Sequence, residues 1–344
     1  PLPVIRKKQR EHFLNHNGID HHRINGGNRI RKAQCNFGWD WGPMTVTCGI
    51  WRSVKLFGFS IARITGVSIR QEHRGKGRVD LEVQAELERI KRGGISLRAV
   101  LYYEEKEVAS SILDLSGSEA TGKLTVTKAR LWWPNTMGAQ DLYRLELEII
   151  DAGARLLDKV RKTIGLRTLS LQRKEDKWGE SFSFVINGRP FIAKGSNWIP
   201  ADCFVSRLRG EDYEYLLSSA ASANMNMLRV WGGGIYENDI FYEICDRLGI
   251  CVWQDFMFAC SAYPVFEKDW LSNVKAEAID NIKRLRLHPS IALWCGNNEL
   301  EQVEGLVGNN TEMGEMSWSD YKKLFDRELP KILADLDDER PYWP

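Results

Sequence analysis

The stretch Ser-Ile-Ala-Leu-Trp-Cys-Gly-Asn-Asn-Glu, residues 290–299, carries an apolar run directly into two amides and a carboxylate. An unbroken apolar run is typical of a strand that is covered on both faces of a parallel sheet. In a β/α barrel, the residues at the carboxyl ends of the strands face the active site. The sequence therefore predicts that a buried strand delivers Glu299 as a catalytic acid.

Three shorter apolar runs precede this stretch, with helical patterns between them. The runs are Phe191–Ala193, Met227–Val230 and Ile250–Trp253, and the helical patterns are Glu211–Ala223, Asp239–Leu248 and Leu271–Leu285. Repeated strand and helix units predict parallel strands. Together with Ile291–Trp294, four such strands can be counted, whereas a closed barrel needs eight.

The region from residue 61 to residue 172 has an all-β pattern instead. Its apolar or alternating runs are Val79–Ala85, Ser96–Tyr103, Gly122–Thr127 and Leu142–Ile150, separated by turn clusters such as Gly93-Gly94. Short strands and frequent turns over roughly 110 residues predict a small sandwich of immunoglobulin-like size. The opening segment is irregular, and its first strand-like run begins only near Thr45.

The composition is that of a soluble globular protein, with 43% hydrophobic residues, 27% charged residues and a net charge of +2. The scattered charges and the absence of a long apolar stretch predict neither a nucleic-acid partner nor a membrane span. The seven cysteines form no C-x-x-C pair, so neither a zinc site nor a complete disulfide framework is predicted. His12, His16, His21 and His22 lie in a polar, Asn- and Gly-rich segment, which we interpret as a solvated loop rather than a metal site.

Polar residues follow each predicted strand. The glycine triplet at residues 232–234 is not part of a G-x-x-x-x-G-K-[ST] or G-x-G-x-x-G motif, so no nucleotide cofactor is predicted. Glycines at such a position let the backbone turn tightly beside a ligand.

Five runs along the chain are similar to those of a known family. They are residues 36–43 (Asn-Phe-Gly-Trp-Asp-Trp-Gly-Pro), 195–202 (Gly-Ser-Asn-Trp-Ile-Pro-Ala-Asp), 228–237 (Leu-Arg-Val-Trp-Gly-Gly-Gly-Ile-Tyr-Glu), 252–258 (Val-Trp-Gln-Asp-Phe-Met-Phe) and 296–299 (Gly-Asn-Asn-Glu). In this order, they resemble the β-mannosidases of glycoside hydrolase family 2 over essentially the whole chain. The Asn-Glu ending is shared by the wider family, whereas the Trp-Asp-Trp-Gly run is what points to mannosidase.

The resemblance implies a multidomain protein that combines β and α/β domains. Residues 1–60 are expected to be the end of a sugar-binding jelly-roll domain, and residues 61–172 an immunoglobulin-like β-sandwich. Residues 173–344 are expected to be the first half of a catalytic (β/α)8 barrel.

The resemblance also implies roles for individual residues. Glu299 would be the general acid/base, and Asn298 would hydrogen-bond the sugar 2-hydroxyl, a contact that strengthens in the transition state. Trp39 and Asp40 would reach over from the first domain to the non-reducing sugar, which would make cleavage exo-acting.

A second set of residues would shape or support the same pocket. Trp198, Trp231 and Trp253 are candidates for its walls, and Arg229, Asp255 and Asn197 for its support. Each tryptophan is as well explained by packing in the hydrophobic core. Arg229 and Asp255 are also explained by pairing inside the barrel, since buried charges are usually paired.

The implied activity is that of a retaining exo-β-mannosidase, which releases terminal β-D-mannose from oligosaccharides and needs neither metal nor organic cofactor. Retaining enzymes use two carboxylates roughly 5–5.5 Å apart, and the resemblance places the nucleophile on a later strand. We therefore expect this chain to be an interior piece of a larger enzyme and to be inactive alone. Two alternatives stay open: a carbohydrate-binding relic without catalysis, and a β-glucosaminidase or β-galactosidase of the same family.

Overall fold

Three regions follow one another along the chain: an irregular first segment, an antiparallel sandwich, and a parallel sheet with helices. The computed structural model describes residues 2–16, 24–91 and 93–344. None of the helices in these ranges is long and apolar enough to cross a membrane.

The first region consists of a helix and turns. Helix α1 (Leu2–Glu11) precedes two short 3-10 helices at Gly27–Arg29 and Gln34–Phe37. The described residues before Ala62 form no strand, only isolated bridges such as the one between Trp39 and Gly42. The strand expected near Thr45 is therefore wrong, because residues 50–57 are exposed and pair with no described strand.

One residue of the predicted solvated histidine loop is buried instead. His16 is only 8% exposed, and its Nδ1 lies 2.8 Å from the hydroxyl of Ser261. That part of the interpretation is wrong, because the chain at His16 forms a bridge with Ser261. His12 is exposed as expected, whereas His21 and His22 lie outside the described residues.

The second region is a β-sandwich. Its seven strands are β1 (Ala62–His73), β2 (Val79–Arg89), β3 (Ile95–Tyr103), β4 (Lys106–Ser116), β5 (Glu119–Val126), β6 (Tyr143–Asp151) and β7 (Leu156–Ile164). They pair antiparallel in the order β1-β2-β5-β4-β3-β6-β7. Strand β4 connects the two halves of the sandwich: its residues 106–113 pair with β3, and its residues 114–116 pair with β5. Alternate residues of the strands form one shared core, as the sequence predicted.

A small antiparallel sheet connects the sandwich to the third region. Strands β8 (Leu169–Gln172), β11 (Ser183–Ile186) and β12 (Arg189–Phe191) form it, and the short hairpin of β9 (Glu175–Asp176) and β10 (Gly179–Glu180) projects from it. Phe184 and Ile186 pack against Met227, Cys251 and Leu293 of the parallel sheet. They cover one face of that sheet near the amino-terminal ends of its strands.

The third region is a parallel sheet with helices. Its elements are β13 (Gly195–Trp198), α2 (Gly210–Ser222), β14 (Met227–Val230), α3 (Asp239–Leu248), β15 (Cys251–Asp255), α4 (Lys268–Leu285), β16 (Ile291–Cys295), β17 (Val307–Gly308), β18 (Met316–Ser317), α5 (Trp318–Tyr321), a π-helical segment (Lys322–Glu328), α6 (Leu329–Leu336) and β19 (Tyr342–Trp343). Five strands pair in parallel in the order β13-β14-β15-β16-β19. Helix α3 ends at Gly249, whose φ of 74° is the left-handed conformation that glycine adopts without strain.

Two expectations about this sheet are wrong. The first parallel strand is Gly195–Trp198 rather than Phe191–Ala193, because Phe191 pairs back onto Phe184 in the antiparallel hairpin. The sheet also has a fifth strand, β19, in addition to the four that can be counted in the sequence. Its two residues are too few to give a periodic signal.

The two faces of the parallel sheet differ in chemistry. Asn197, Arg229, Trp253 and Leu293 are register neighbours across four strands and so share a face. The opposite face carries Leu228, Val230 and Val252 into the main helical core. Asn197 and Arg229 therefore lie on the face that the helices do not cover, whereas the buried Gln254 on the other face accepts the hydroxyl of Tyr242 at 2.6 Å.

The sandwich and the parallel sheet are joined by buried side chains that bond to backbone. Arg167 Nε donates to the carbonyl of Pro289 at 2.6 Å, and Arg286 donates in return to the carbonyl of Val67 through Nε and Nη2 at 3.1 and 2.9 Å. Trp132, which is fully buried, donates its indole N–H to the carbonyl of Asp246 at 2.7 Å.

Candidate active site

The polar face of the sheet is organised around Arg229. Its guanidinium makes two bonds to the carboxylate of Asp255, Nη2 to Oδ2 at 2.7 Å and Nε to Oδ1 at 3.2 Å. It also donates to Oδ1 of Asn298 at 2.9 Å and to Oδ1 of Asn197 at 3.2 Å. One side chain therefore ties together four of the residues predicted for the site, from β13, β14, β15 and the chain after β16.

Asp255 is fully buried at the end of β15. Besides the guanidinium, it accepts the backbone N–H of Gly232 at 2.9 Å and the indole N–H of Trp253 at 3.0 Å. Burial raises the pKa of Asp255 to about 6, against the opposing pull of Arg229 and the other donors. The prediction that Arg229 and Asp255 pair inside the sheet is confirmed.

Asn298 and Glu299 follow β16 in a sharp turn. Asn298 is buried and bonds by its backbone N–H to the carbonyl of Phe258 at 2.9 Å. Glu299 has a φ of 61°, an uncommon left-handed conformation for a residue with a side chain. Its side chain is exposed. The turn therefore fixes Asn298 in the network and presents the carboxyl of Glu299 at the surface.

The carboxyl of Glu299 has one described neighbour that sequence reasoning did not select. The sulfur of Cys260 lies 3.3 Å from Oε2 of Glu299 and accepts Nδ2 of Asn298 at 3.4 Å. In the sequence, Cys260 is only one of seven cysteines that form no C-x-x-C pair. No pattern in the sequence could have singled it out, because the contact spans 39 positions along the chain.

The Trp-Asp-Trp motif belongs to a segment that we call the arm, residues 24–43. Trp39 meets Trp231 edge to face, with ring centroids 4.6 Å apart, and Trp41 meets the same ring at 5.8 Å. Trp231, Cys260 and Leu306 belong to one buried cluster, against which Trp39 packs. The arm is thus brought to the end of the sheet that carries Glu299, and Asp40 is exposed there.

The arm is anchored on helix α4. Arg31 binds Glu277 through Nε and Nη2, both at 2.8 Å, and its Nη2 donates to the carbonyl of Met257 at 2.7 Å. Its guanidinium also lies over the ring of Phe258, 4.2 Å from the centroid. Arg31 was missed by sequence reasoning because its partner lies 246 positions away.

Trp198 is placed differently from the other candidate wall residues. Its indole N–H donates to Oε1 of Glu237 at 3.0 Å, and Tyr213 donates to the other carboxylate oxygen at 2.7 Å. The ring also packs on Phe241 with centroids 4.8 Å apart. Burial raises the pKa of Glu237. Trp198 therefore packs against the helical core, whereas Trp231 and Trp253 lie near the network and the arm.

The charged segment 301–315 is partly exposed and partly buried. Glu301 and Glu304 are exposed, but Leu306 is buried in the cluster with Cys35, Trp231 and Cys260. The segment thus closes one side of the candidate site.

A cavity of about 660 Å³ lies beside the arm. It is lined by the arm, by the chain up to Arg52 and by the loops after β13 and β14. Glu299 does not line it. The described residues also contain no group of three or more His, Cys, Asp or Glu side chains arranged to hold a metal ion. The candidate site is therefore defined by the hydrogen-bond network and not by a deep pocket.

Two regions of the sequence match families of known proteins. Residues 3–52 match the glycosyl hydrolase 2 galactose-binding domain-like family, and residues 62–167 match the glycosyl hydrolases family 2. The chain is 37% identical over 327 residues to the β-mannosidase of Bos taurus, and 36% identical over 328 residues to β-mannosidase B of Emericella nidulans. Each match covers 92% of this chain.

The chain belongs to glycoside hydrolase family 2. It spans 37% of the length of the bovine relative and 38% of the fungal one. The crystal structure of a β-D-mannosidase from Dictyoglomus thermophilum matches this family 2 chain over 100% of its length and 42% of the other chain, with a TM-score of 0.89 and 42% identity. The resemblance to the family 2 β-mannosidases is confirmed.

A more distant structure shows that the fold is shared more widely. A β-glucuronidase from Bifidobacterium dentium matches 82% of this chain and 43% of the other, with a TM-score of 0.66 and 22% identity. At this identity the likeness concerns the fold alone.

Proposed function

We propose that this family 2 chain carries the acid/base half of a retaining exo-β-mannosidase, which removes terminal β-D-mannose from the non-reducing end of oligosaccharides. The observation that carries the proposal is the position of Asn298 and Glu299 at the carboxyl end of β16, tied through Arg229 to the neighbouring strands. The family resemblance, together with the relatives named β-mannosidase, supports mannose as the sugar.

Glu299 is proposed as the general acid/base. It would protonate the glycosidic oxygen as the bond breaks and then take a proton from the attacking water. An exposed carboxyl at a strand end is accessible to a substrate. Asn298 is proposed to hold the sugar 2-hydroxyl through its side-chain amide. Arg229 fixes the orientation of that amide, because a guanidinium can only donate hydrogen bonds and it donates to the amide oxygen.

The sugar is proposed to lie between the sheet and the arm. Trp39 and Trp231 form the aromatic wall, Asp40 binds hydroxyls of the terminal sugar, and Trp253 lies over the network on the sheet side. Trp198 is left out of this wall, since it is bonded to Glu237 in the core. Neither Glu237 nor Asp255 is proposed as the nucleophile, because both are buried and already bonded to donors.

The domain organisation is part of the same proposal. Residues 1–60 are assigned to the sugar-binding domain, residues 61–172 to the immunoglobulin-like sandwich and residues 173–344 to the first half of a (β/α)8 barrel. The five parallel strands in sequential order, with helices between the first four, support the barrel.

The test is hydrolysis of aryl glycosides by the wild-type enzyme that contains this chain together with the strand that carries the nucleophile, by its Glu299→Gln variant and by a matched control, Glu304→Gln, whose side chain is exposed in the same segment. We expect β-mannoside turnover to fall by roughly 10²- to 10⁴-fold in Glu299→Gln and to be unchanged in the control. Added azide should restore turnover of an activated aryl mannoside in Glu299→Gln, because a small anion needs no general base. Equal activity in the wild type and Glu299→Gln would contradict the role of Glu299.

Two other outcomes would replace the proposal. A preference for a β-galactoside or a β-glucosaminide would assign the chain to another activity of the family. Mannose binding without turnover would favour the non-catalytic carbohydrate-binding alternative.

A further inference from the structure

Cys260 occupies an unusual place beside the proposed acid/base. Its sulfur lies 3.3 Å from Oε2 of Glu299, and the residue is 3% exposed. An ionised carboxylate can only accept hydrogen bonds, whereas a thiol carries one weak donor. In the ionised state of Glu299, the S–H of Cys260 is therefore the donor in this contact.

The backbone fixes the thiol in this position. The N–H of Cys260 donates to the carbonyl of Asn298 at 3.0 Å, and Ala259 forms a parallel bridge with Asn298. The amide of Asn298 donates to the sulfur at 3.4 Å. The thiol thus accepts from the side chain of Asn298 and has Oε2 of Glu299 as its nearer acceptor at 3.3 Å, with the carbonyl oxygen of Asn298 farther away at 4.0 Å.

Both ends of the contact have left-handed backbone conformations. The φ of Cys260 is 44° and the φ of Glu299 is 61°. Such conformations in residues with side chains persist where the surroundings determine them, and they are frequent at functional sites. Here they turn the thiol and the carboxyl toward each other from two separate strand ends.

We propose that Cys260 is a positioning residue, which holds Oε2 of Glu299 and so assigns proton transfer to Oε1. The proposal rests on the proposed acid/base role of Glu299. In the first step, the proton on Oε1 passes to the glycosidic oxygen as the bond to the sugar breaks. In the second step, Oε1 takes a proton from water. The thiol keeps its proton throughout, and no redox change occurs.

A purely packing role predicts different behaviour. Cys260 belongs to the buried cluster with Cys35, Trp231 and Leu306, so its removal would leave a small cavity even if the thiol made no hydrogen bond. Measurements are needed that respond to the thiol hydrogen bond but not to a cavity.

The first measurement does not require activity. Infrared difference spectra between the wild type and Cys260→Ala isolate the S–H stretching band of Cys260, and Cys245→Ala, which removes a buried thiol of helix α3, serves as the control. We expect the Cys260 band to shift toward that of a free thiol in Glu299→Ala, which removes the acceptor, whereas the Cys245 band stays in place. A Cys260 band that does not move would overturn the proposal.

The second measurement compares leaving groups in the Cys260→Ala variant. Mannosides with poor, alkyl leaving groups depend on the proton from Glu299. Dinitrophenyl mannosides do not, because dinitrophenolate leaves without being protonated. We expect kcat/KM, which reports the first step alone, to fall about 10-fold for the alkyl substrate and to change little for the dinitrophenyl substrate. Cys260→Ser, which keeps a donor, should recover most of the loss. Equal losses on both substrates would show a packing role and overturn the proposal.

The two measurements separate this proposal from the function on which it rests. A shifted S–H band in a wild-type protein without β-mannoside turnover would defeat the proposed function and leave the hydrogen bond standing. Turnover that depends on Glu299, with an unmoved band, would defeat the role of Cys260 alone.

Discussion

The candidate site has two halves that are held in different ways. On the strand side, Arg229 bonds directly to Asp255 and Asn298 at 2.7 and 2.9 Å, and Asp255 has no exposed surface. On the arm side, Trp39 meets the sheet through a ring contact with Trp231, and the ion pair that anchors the arm forms away from the site, at Arg31.

This difference matches the proposed roles, in which the strand half carries Glu299 and the arm contributes Trp39 and Asp40 to sugar binding. Side chains at the ends of paired strands are fixed by the ladder beneath them, which suits groups that act on the reacting bond. A segment that is docked by side chains from a distance depends on each of those contacts. Damage to the strand half should therefore reduce global stability, whereas damage to the arm should loosen one segment and weaken sugar binding.

The largest effect is expected from Arg229→Ala. Removing the guanidinium leaves Asp255 buried without its countercharge, which should lower the unfolding free energy by about 4 kcal/mol. Urea unfolding measures the change. Arg247→Ala is the matched control, because Arg247 pairs with Glu214 on the surface and should cost at most about 1 kcal/mol. Similar losses in both variants would contradict the importance of the buried pair.

A smaller effect is expected from pH through Asp255. Its pKa of about 6 in the folded state is above the value of 3.8 for a free side chain, so the folded state holds the proton more tightly. The stabilisation is complete below about pH 4 and is lost as pH rises through about 6, by up to ~3 kcal/mol. The unfolding free energy of wild type minus that of Asp255→Asn should therefore fall between pH 4 and pH 7.

A difference in unfolding free energy that rises with pH would contradict this prediction. A difference that rises with pH would mean that the ion pair with Arg229 outweighs burial and lowers the pKa of Asp255. Carboxyl resonances of Asp255, followed by NMR across the same range, report the sign directly.

The smallest global effect is expected from Arg31→Ala. The loss of its bonds to Glu277 and Met257 should cost ~2 kcal/mol, and most of it should appear as opening of the arm. Amide hydrogen exchange should accelerate within residues 24–43 and not within β14–β16. Arg31→Lys keeps the charge but loses the two-pronged contact with Glu277, and should lie between wild type and Arg31→Ala. Uniform acceleration over the whole chain would contradict a separately docked arm.

The regular parts of the fold were readable from the sequence. Helix α3 was predicted with the bounds Asp239–Leu248 that the structure shows, because its apolar face is periodic and Gly249 ends it. The sandwich strands were recognised by their alternation. Strand β13 was misplaced because it is an edge strand with mostly exposed residues, Gly195–Asn197, and so carries no apolar run.

The site was readable only where its parts lie next to each other in sequence. The apolar strand that ends in two amides and a carboxylate indicated Asn298 and Glu299. The opposite charges of Arg229 and Asp255 indicated that they could pair. The contacts of Cys260 with Glu299 and of Arg31 with Glu277 join distant parts of the chain. They depend on how the arm and the loops dock, which no local pattern encodes.

The bonds between the sandwich and the parallel sheet also bear on recombination between relatives. Arg167 reaches from the sandwich side to the carbonyl of Pro289, and Arg286 reaches back to the carbonyl of Val67. Each region thus supplies a guanidinium that donates hydrogen bonds to a backbone carbonyl of the other region. A chimera that takes the two regions from different parents should lose stability unless both parents present these carbonyls in the same places.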